Sequence, residues 1–250
     1  MPQAGFFKIL DRIDSTNNYA MATIREGMAK HGMAVLAKVQ TAGKGQRGKS
    51  WQMQPGQNIA MSLILKTNMI PARQQFYLSM CMALAASEFL IKYSAQEIGI
   101  KWPNDLYWRD RKAAGILIEN IVSSSEAEQG KWQWAVVGIG ININQTEFDK
   151  ALPNPVSLKQ ITGANYDVTG LAEELYTIMM QWFNKLLEKK YEELHELYLE
   201  LLYKKNQKVR LKKQNAVFET IIKEVNSRGQ LITQDAVERV FNVGEIEWIL

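Results

Sequence analysis

Gly43-Lys-Gly-Gln-Arg-Gly-Lys-Ser-Trp51 is the stretch on which the reading of the fold turns. Its glycines let backbone N–H groups converge, because a residue without a Cβ reaches φ > 0 freely. Lys44, Arg47 and Lys49 bring positive charge to the same place, so the loop suits an anion, most plausibly a phosphate. Two nucleotide-binding patterns fit the letters: Gly43-x-x-x-x-Gly48-Lys49-Ser50 and Gly43-x-Gly45-x-x-Gly48. Each requires a helix that opens where the loop ends. Here Pro55 and Gly56 break any such helix within its first turns, and Asn58-Ile-Ala-Met-Ser-Leu-Ile-Leu65 follows, short and apolar like a strand. The loop therefore joins two strands, Val35 to Val39 and Ile59 to Leu65. A P-loop NTPase fails on the missing helix. A plain glycine hairpin explains the glycines but not three clustered cations and a tryptophan.

Upstream, Phe6 to Leu10 reads as a strand, and Asp14-Ser15-Thr16-Asn17 opens a helix to about Met28. Ser15 and Thr16 are expected to cap it, and their hydroxyls also suit a small polar ligand. Gln40 ends the strand from Ala34 and points to solvent or into a site. Downstream, Pro71 to Tyr93 reads as an amphipathic helix burying Phe76, Met80, Leu84 and Ala85. Glu97 to Trp102 is a strand ending in Lys101-Trp-Pro-Asn-Asp105, where Pro103 keeps the preceding residue extended. Leu106 to Trp108 and Ala113 to Ile121 form a hairpin about Arg109-Asp110-Arg111, and the polar segment Ser123 to Gly130 is expected to be mobile. Trp132 to Ile143 carries Gly138-Ile-Gly140-Ile-Asn142, whose glycines admit a ligand or another chain close to the backbone. Gln145 to Pro155 is irregular, a candidate flap. After a helical stretch beyond Ser157, Thr169 begins a long helical region to about Lys204, with Glu173 and Glu174 in its first turn. Five short runs follow: Val209 to Leu211, Ala216 to Val225, Gln230 to Thr233, Arg239 to Phe241 and Glu245 to Leu250. They suggest a small β-barrel. The expected architecture is α/β: a mixed sheet with helices packed on one side over residues 1–204, then a small C-terminal barrel over 205–250.

Composition narrows the class. With 46% apolar and 22% charged residues, the 250-residue chain is that of an ordinary soluble globular protein. A net charge of +4, with both signs interspersed, suits anionic substrates and argues only weakly for nucleic acid. Cys81 is the only cysteine, which excludes a disulfide framework and a thiolate zinc site, and it reads as buried. His31 and His195 are expected to be solvated. The first residues lack a signal peptide's apolar stretch, and Ser79, Ser87 and Glu88 interrupt the most apolar helix, so the cytoplasm is the expected location.

Taken in order, Ser15-Thr16-Asn17, Gln40 to Trp51, Lys101-Trp-Pro-Asn-Asp105 with Arg111 to Leu117, and Gly138 to Asn142 resemble the biotin–protein ligases over nearly the whole chain, down to a final Gly244-Glu-Ile. The resemblance implies an enzyme that joins biotin's carboxylate to the α-phosphate of ATP. It then passes the biotinyl group to a lysine of a carboxylase's biotin carboxyl carrier domain. It implies that Ser15, Thr16, Asn17, Gln40, Gly43 and the Gly115 backbone hold the ureido ring. Lys44, Gly45, Gln46 and Arg47 hold carboxylate and phosphate, Trp51 covers the ligand, and Asn142 contacts adenine. Lys101 contacts the forming acyl phosphate as a cation, and Lys112 adds charge. Mg²⁺ is expected on the triphosphate, with no dedicated protein cage. Asp105 is either a base for the acceptor lysine or a turn cap. The family often has arginine where Lys44 and Gln46 stand; lysine loses the two-pronged grip and glutamine loses the charge. With Ser15 already in the ligand site, the resemblance is to the form without an N-terminal DNA-binding domain, so neither DNA nor membrane is an expected partner. Glycine-bearing strand edges such as Gly138 to Asn142 are expected to pair with the acceptor or with a second copy. Lipoate or octanoate ligases share acyl adenylation and are the alternative. Their arginine-rich, triple-glycine and histidine signature is absent.

Overall fold

The computed structural model describes residues 6–94, 98–123 and 130–249. Glu97, most of the Ser123 to Gly130 segment expected to be mobile, and Leu250 lie outside the described residues. β1 (Phe7–Leu10) and β2 (Ala34–Ala37) pair in parallel across α1 (Thr16–Arg25). β2 then runs through the glycine loop into antiparallel β3 (Asn58–Lys66). No helix follows Ser50; a single 3₁₀ turn, Gln46–Gly48, lies inside the loop. The two-strand reading of the loop therefore holds.

α2 (Gln75–Ser94) leads to β4 (Ile98–Lys101), β5 (Asp105–Trp108), β6 (Arg111–Val122) and β7 (Trp132–Asn142). They complete a seven-stranded mixed sheet in the order β1-β2-β3-β7-β6-β5-β4. β7 thus pairs on both sides, with β3 and β6, and offers no free edge at Gly138 to Asn142. The expected edge pairing there is corrected: what approaches those glycines is the chain itself.

α3 (Leu158–Thr162) opens on a capping box between Ser157 and Gln160. The long helical region splits into α4 (Val168–Leu187) and α5 (Tyr191–Glu200) at Lys189, which takes φ 61°. Glu173 and Glu174 fall beyond the first turn, because Asp167 caps α4 and starts it earlier. Instead, Glu174 accepts hydrogen bonds from Lys92 and Tyr93 on α2.

α2, α4 and α5 cover one face of the sheet and build the main core. α1 covers the other, where Ala20 meets Ile64 and Val136. α2 is not amphipathic as expected. Between sheet and helices it is buried on every side from Met80 to Ser87, while Phe76 is only partly covered. Ala72–Ser94 is long and apolar enough to cross a membrane by length and composition alone, but here its apolar surface is spent on the core. Ser87 hides its polarity by donating to the Ala83 carbonyl at 2.8 Å. Cys81 is buried as expected, its thiol pushed up by desolvation. His31 is exposed as expected, whereas His195 is half-buried. His31 accepts the Lys66 N–H at 3.1 Å and packs on Phe183, and His195 bonds the Val225 carbonyl.

All five C-terminal runs form strands: β8 (Lys208–Lys213), β9 (Ala216–Val225), β10 (Leu231–Gln234), β11 (Glu238–Phe241) and β12 (Glu247–Ile249). They make a second, antiparallel sheet in the order β11-β10-β9-β8-β12. Its turns dock on the first unit. The Gly229 carbonyl accepts the Trp102 indole N–H at 2.9 Å, and the Gly244 carbonyl accepts Arg47 Nη1 at 2.9 Å.

Candidate active site

Register builds the floor of the site. Asp105 pairs with Gly115, Gly115 with Gly140, and Gly140 with Ala60. One row of four strands therefore carries almost no side chain until Asp105. The next row is Ser62, Gly138 and Leu117. Strand neighbours i and i+2 share a face, so the two rows make a trough on the α1 side. A Cβ on Gly140 would fall 2.2 Å from the Trp51 ring, and one on Gly138 would fall 2.2 Å from Asn17 Oδ1. Those glycines are required by what lies on them.

One end of the trough is a hydrogen-bond network. Gln40 Oε1 accepts the backbone N–H of Thr16 at 2.8 Å and lies 3.1 Å from its hydroxyl. Gln40 thereby caps α1 from across the sheet. Ser15 occupies the N-cap position but makes no side-chain capping bond, contrary to the sequence reading. Ser62 Oγ stands 2.7 Å from Thr16 Oγ1 and 2.6 Å from Asn17 Oδ1. Asn17 Nδ2 in turn donates to Glu119 at 2.8 Å. Ser15, Thr16, Asn17 and Ser62 are all buried.

The other end is cationic. Lys112 Nζ sits 2.7 Å from Asp105 Oδ1 and over the Trp51 ring at 5.9 Å. Lys101 is buried, and its ammonium donates to the Tyr107 hydroxyl at 3.0 Å. Burial pulls its pKa down to about 8; Asp105 opposes this, while nearby Lys112 and Lys49 add to it. The loop and Lys101 are thus electrostatic neighbours. At neutral pH Lys101 stays charged, and it discharges as pH rises past about 8.

The site residues read from sequence are only partly gathered. Ser15, Thr16, Asn17 and Gln40 meet at the polar end, where Gly43 lies under Gln40 and pairs its carbonyl with the Trp51 N–H. Lys101, Lys112, Gly115 and Trp51 meet at the other end. Gly45 bonds the Lys49 carbonyl and shapes the loop. Lys44 stands 4.0 Å from Glu119. Arg47 is drawn to Gly244. Gln46 borders a separate cavity of about 360 Å³ with Phe76, Pro103 and Arg228. Asn142 is buried and donates to the Val156 and Lys112 carbonyls, tying β7 to the segment after the flap. Four residues were missed. Ser62 is a lone polar group in an apolar strand, a signal in itself, because buried polar atoms must find partners, whereas Glu119 beside Asn120 reads as an ordinary polar strand end. Tyr107 and Trp248, whose ring centroids lie 4.5 Å and 5.4 Å from the Lys101 ammonium, gave none, since that meeting depends on how the two sheets come together.

A trough with a polar end and a cationic end can take an elongated organic acid with its carboxylate among lysines. The chain belongs to the biotin/lipoate A/B protein ligase family, whose profile matches residues 9–142. It is 33% identical over 180 residues to the biotin--[acetyl-CoA-carboxylase] ligase of Paracoccus denitrificans, covering 70% of this chain and 71% of that one. It is 36% identical over 173 residues to the bifunctional ligase/repressor BirA of Escherichia coli K12, covering 68% of this chain and 51% of BirA. The chain thus spans about half the length of the BirA relatives it matches. The fold matches the biotin protein ligase of Aquifex aeolicus, solved with biotin and ATP, with a TM-score of 0.80 at 22% identity over 97% of this chain and 98% of that one.

Proposed function

We propose that the chain is a biotin–protein ligase, and the observation that carries this is the trough with its two chemically opposite ends. Biotin's ureido ring is a flat, uncharged donor–acceptor group; it fits the network of Ser15, Thr16, Asn17, Gln40 and Ser62 over the side-chain-free floor. Its aliphatic tail then runs toward Lys101 along Gly140 and Gly115, taking the place of the Trp51 ring on Gly140, with Trp51 closing over it. The carboxylate attacks the α-phosphorus of ATP, the bond to the β-phosphate oxygen breaks, and pyrophosphate leaves. Two anions must meet in that step, so fixed cations and alignment supply the catalysis. Lys101 stabilises the pentacovalent phosphorus as a cation, with Lys112 and the loop's Lys44, Gly45, Gln46 and Arg47 on the phosphates. Asn142 stands at the trough's far end for adenine.

Mg²⁺ would ride on the triphosphate. Among the described residues no cluster of three or more His, Cys, Asp or Glu is placed to hold a metal. In the second step a lysine amine of a carboxylase's carrier domain attacks the acyl carbon, forming the amide and releasing AMP. The working body is residues 1–204, completed by the sheet over 205–250, and its place is the cytoplasm.

The test is exchange of labelled pyrophosphate into ATP, run with biotin, lipoate or octanoate. Biotin-dependent exchange is expected. A signal with lipoate or octanoate alone transfers the reading to that branch of the family, and ATP hydrolysis without any acid overturns it.

A further inference from the structure

Among the described residues the cations around the trough are held in different ways. Lys112 is paired with Asp105, Lys44 approaches Glu119, and Arg47 is spent on the Gly244 carbonyl. Lys101 forms no ion pair within those residues; the groups in contact with it are aromatic, while Asp105, Lys112 and Lys49 act on it from beyond ion-pair distance. Its ammonium lies 4.5 Å from the Tyr107 ring centroid and 5.4 Å from that of Trp248. Tyr203 packs against both rings, at 5.2 Å and 5.8 Å, and donates its hydroxyl to Asp110 at 2.6 Å. Trp248 comes from the far end of the chain, on β12 beside Leu211 of β8.

The physical consequence concerns charge. A carboxylate beside Lys101 would hold it but would also neutralise it toward an incoming anion. Ring faces attract the ammonium through their quadrupole without cancelling its charge. The Tyr107 oxygen takes one of its three N–H bonds, leaving the others for ligand oxygens. A lysine side chain is otherwise a flexible stem with substantial rotamer entropy. Walls on two sides remove that freedom before the substrates arrive, and small displacements of a reacting group are costly. The buried indole N–H of Trp248 also has no hydrogen-bond partner, so no other polar contact dictates where that ring lies.

We propose that Trp248, reaching in from the C-terminal sheet, and Tyr107 are positioning residues that hold the Lys101 ammonium, outside any ion pair, for the adenylation step. This rests on the ligase reading above. It makes the C-terminal sheet a wall of the reaction site, since Trp248 is the residue by which that sheet touches Lys101.

The experiment compares the full-length protein with W248F, W248L and Y107F in biotin-dependent pyrophosphate exchange from pH 6.5 to 9.5. Ring–cation contacts of this kind are worth a factor of roughly 2 to 30. W248L is therefore expected to lose about tenfold in kcat with biotin KM moved less than about twofold. W248F, which keeps a ring, is expected to escape most of that loss. In W248L the basic limb of kcat/KM moves up, because water reaches the ammonium and lifts the burial that holds its pKa near 8. The other charged or titratable groups facing Lys101 are Lys49, Lys112, Asp105 and Tyr107, with Tyr203 behind; all are unchanged in W248L. In W248F the limb stays in place.

W248L with wild-type kcat and an unmoved limb overturns the proposal. So do equal losses in W248F and W248L with no limb shift, which would mark the ring as packing alone. If W248L does not unfold cooperatively, Y107F decides. It removes one oxygen, and unchanged kcat and limb position in that variant refute the held-ammonium account. Absence of exchange in the unmutated protein sinks the ligase reading instead, so the two failures are distinguishable.

Discussion

Adding one methyl group at Gly138 or at Gly140 should have opposite consequences, although the positions are two residues apart on one face of β7. A Cβ at Gly138 lands 2.2 Å from Asn17 Oδ1, and Asn17 has nowhere to go. It is buried at the start of α1, held by Ser62 at 2.6 Å and by its own bond to Glu119 at 2.8 Å. Expelling it forfeits a neutral buried hydrogen bond of about 1 kcal/mol and one to a charged group of about 1.5–3 kcal/mol. Replacing glycine within a strand returns about 0.5–1 kcal/mol of chain entropy. The net for G138A is a destabilisation of roughly 2–3 kcal/mol, a fall in Tm on the order of 5–10 °C for a chain of this size. At Gly140 the same Cβ meets the ring of Trp51, 2.2 Å away. Trp51 is only half-buried and ends a glycine-rich loop, so it can swing out at little cost to the fold. G140A should therefore unfold within about 1 kcal/mol of the parent. It should nonetheless bind biotin at least tenfold more weakly, because its methyl fills the trough floor and its lid is displaced. Urea unfolding and titration calorimetry with biotin measure both quantities. Equal destabilisation by the two substitutions, or G140A binding biotin as the parent does, would refute the trough and its register.

Lys101→Ala should remove biotin-dependent exchange while leaving urea unfolding cooperative, and a wild-type exchange rate in that variant denies Lys101 its role. Lys101 carries a pKa of about 8, below the ordinary lysine value of 10.5, so its charge is disfavoured by folding. Stability should accordingly rise as pH goes from about 8 toward 10.5, where the unfolded chain holds the extra proton, and K101M should flatten that rise. Asp105→Asn frees Lys112 from its ion pair. Adenylation should then fall several-fold, whereas loss of the transfer step alone, measured by single turnover from preformed biotinyl-adenylate, would mark Asp105 as the acceptor's base. Limited proteolysis between Lys44 and Lys49 should slow when biotin and ATP are added together, and equal cutting in both states contradicts loop closure over the adenylate.

What could be read from the residues in advance was whatever local chemistry decides. Pro55 and Gly56 forbid a helix after the glycine loop, and that alone separates this sheet from the nucleotide-binding folds its letters imitate. The five C-terminal strands announced themselves through spacing and turn residues. Features set by distant partners were not legible. Gln40 caps α1 across 24 residues of sequence, a task any reading of Asp14 to Asn17 assigns to Ser15. α2 looked amphipathic because its polar groups are visible in the letters and their intrahelical and interhelical bonds are not. The break at Lys189 carries neither glycine nor proline.

The cations make the same point most sharply. By sequence Lys44, Arg47, Lys49, Lys101 and Lys112 are equivalent positive charges near an anion site. Folding differentiates them by what each already touches. Arg47 is the instructive case. Its guanidinium is held by a single neutral carbonyl, Gly244, in the turn that leads directly into Trp248's strand. That single bond uses one arm of the guanidinium fork, whereas a phosphate can take two parallel N–H bonds and carries the opposite charge. If the ligase proposal holds, an arriving triphosphate is expected to draw Arg47 off Gly244 and onto the nucleotide. Arg47→Ala should then weaken the ligand-dependent protection of the loop from proteolysis, and unchanged protection in that variant would refute the exchange of anchors.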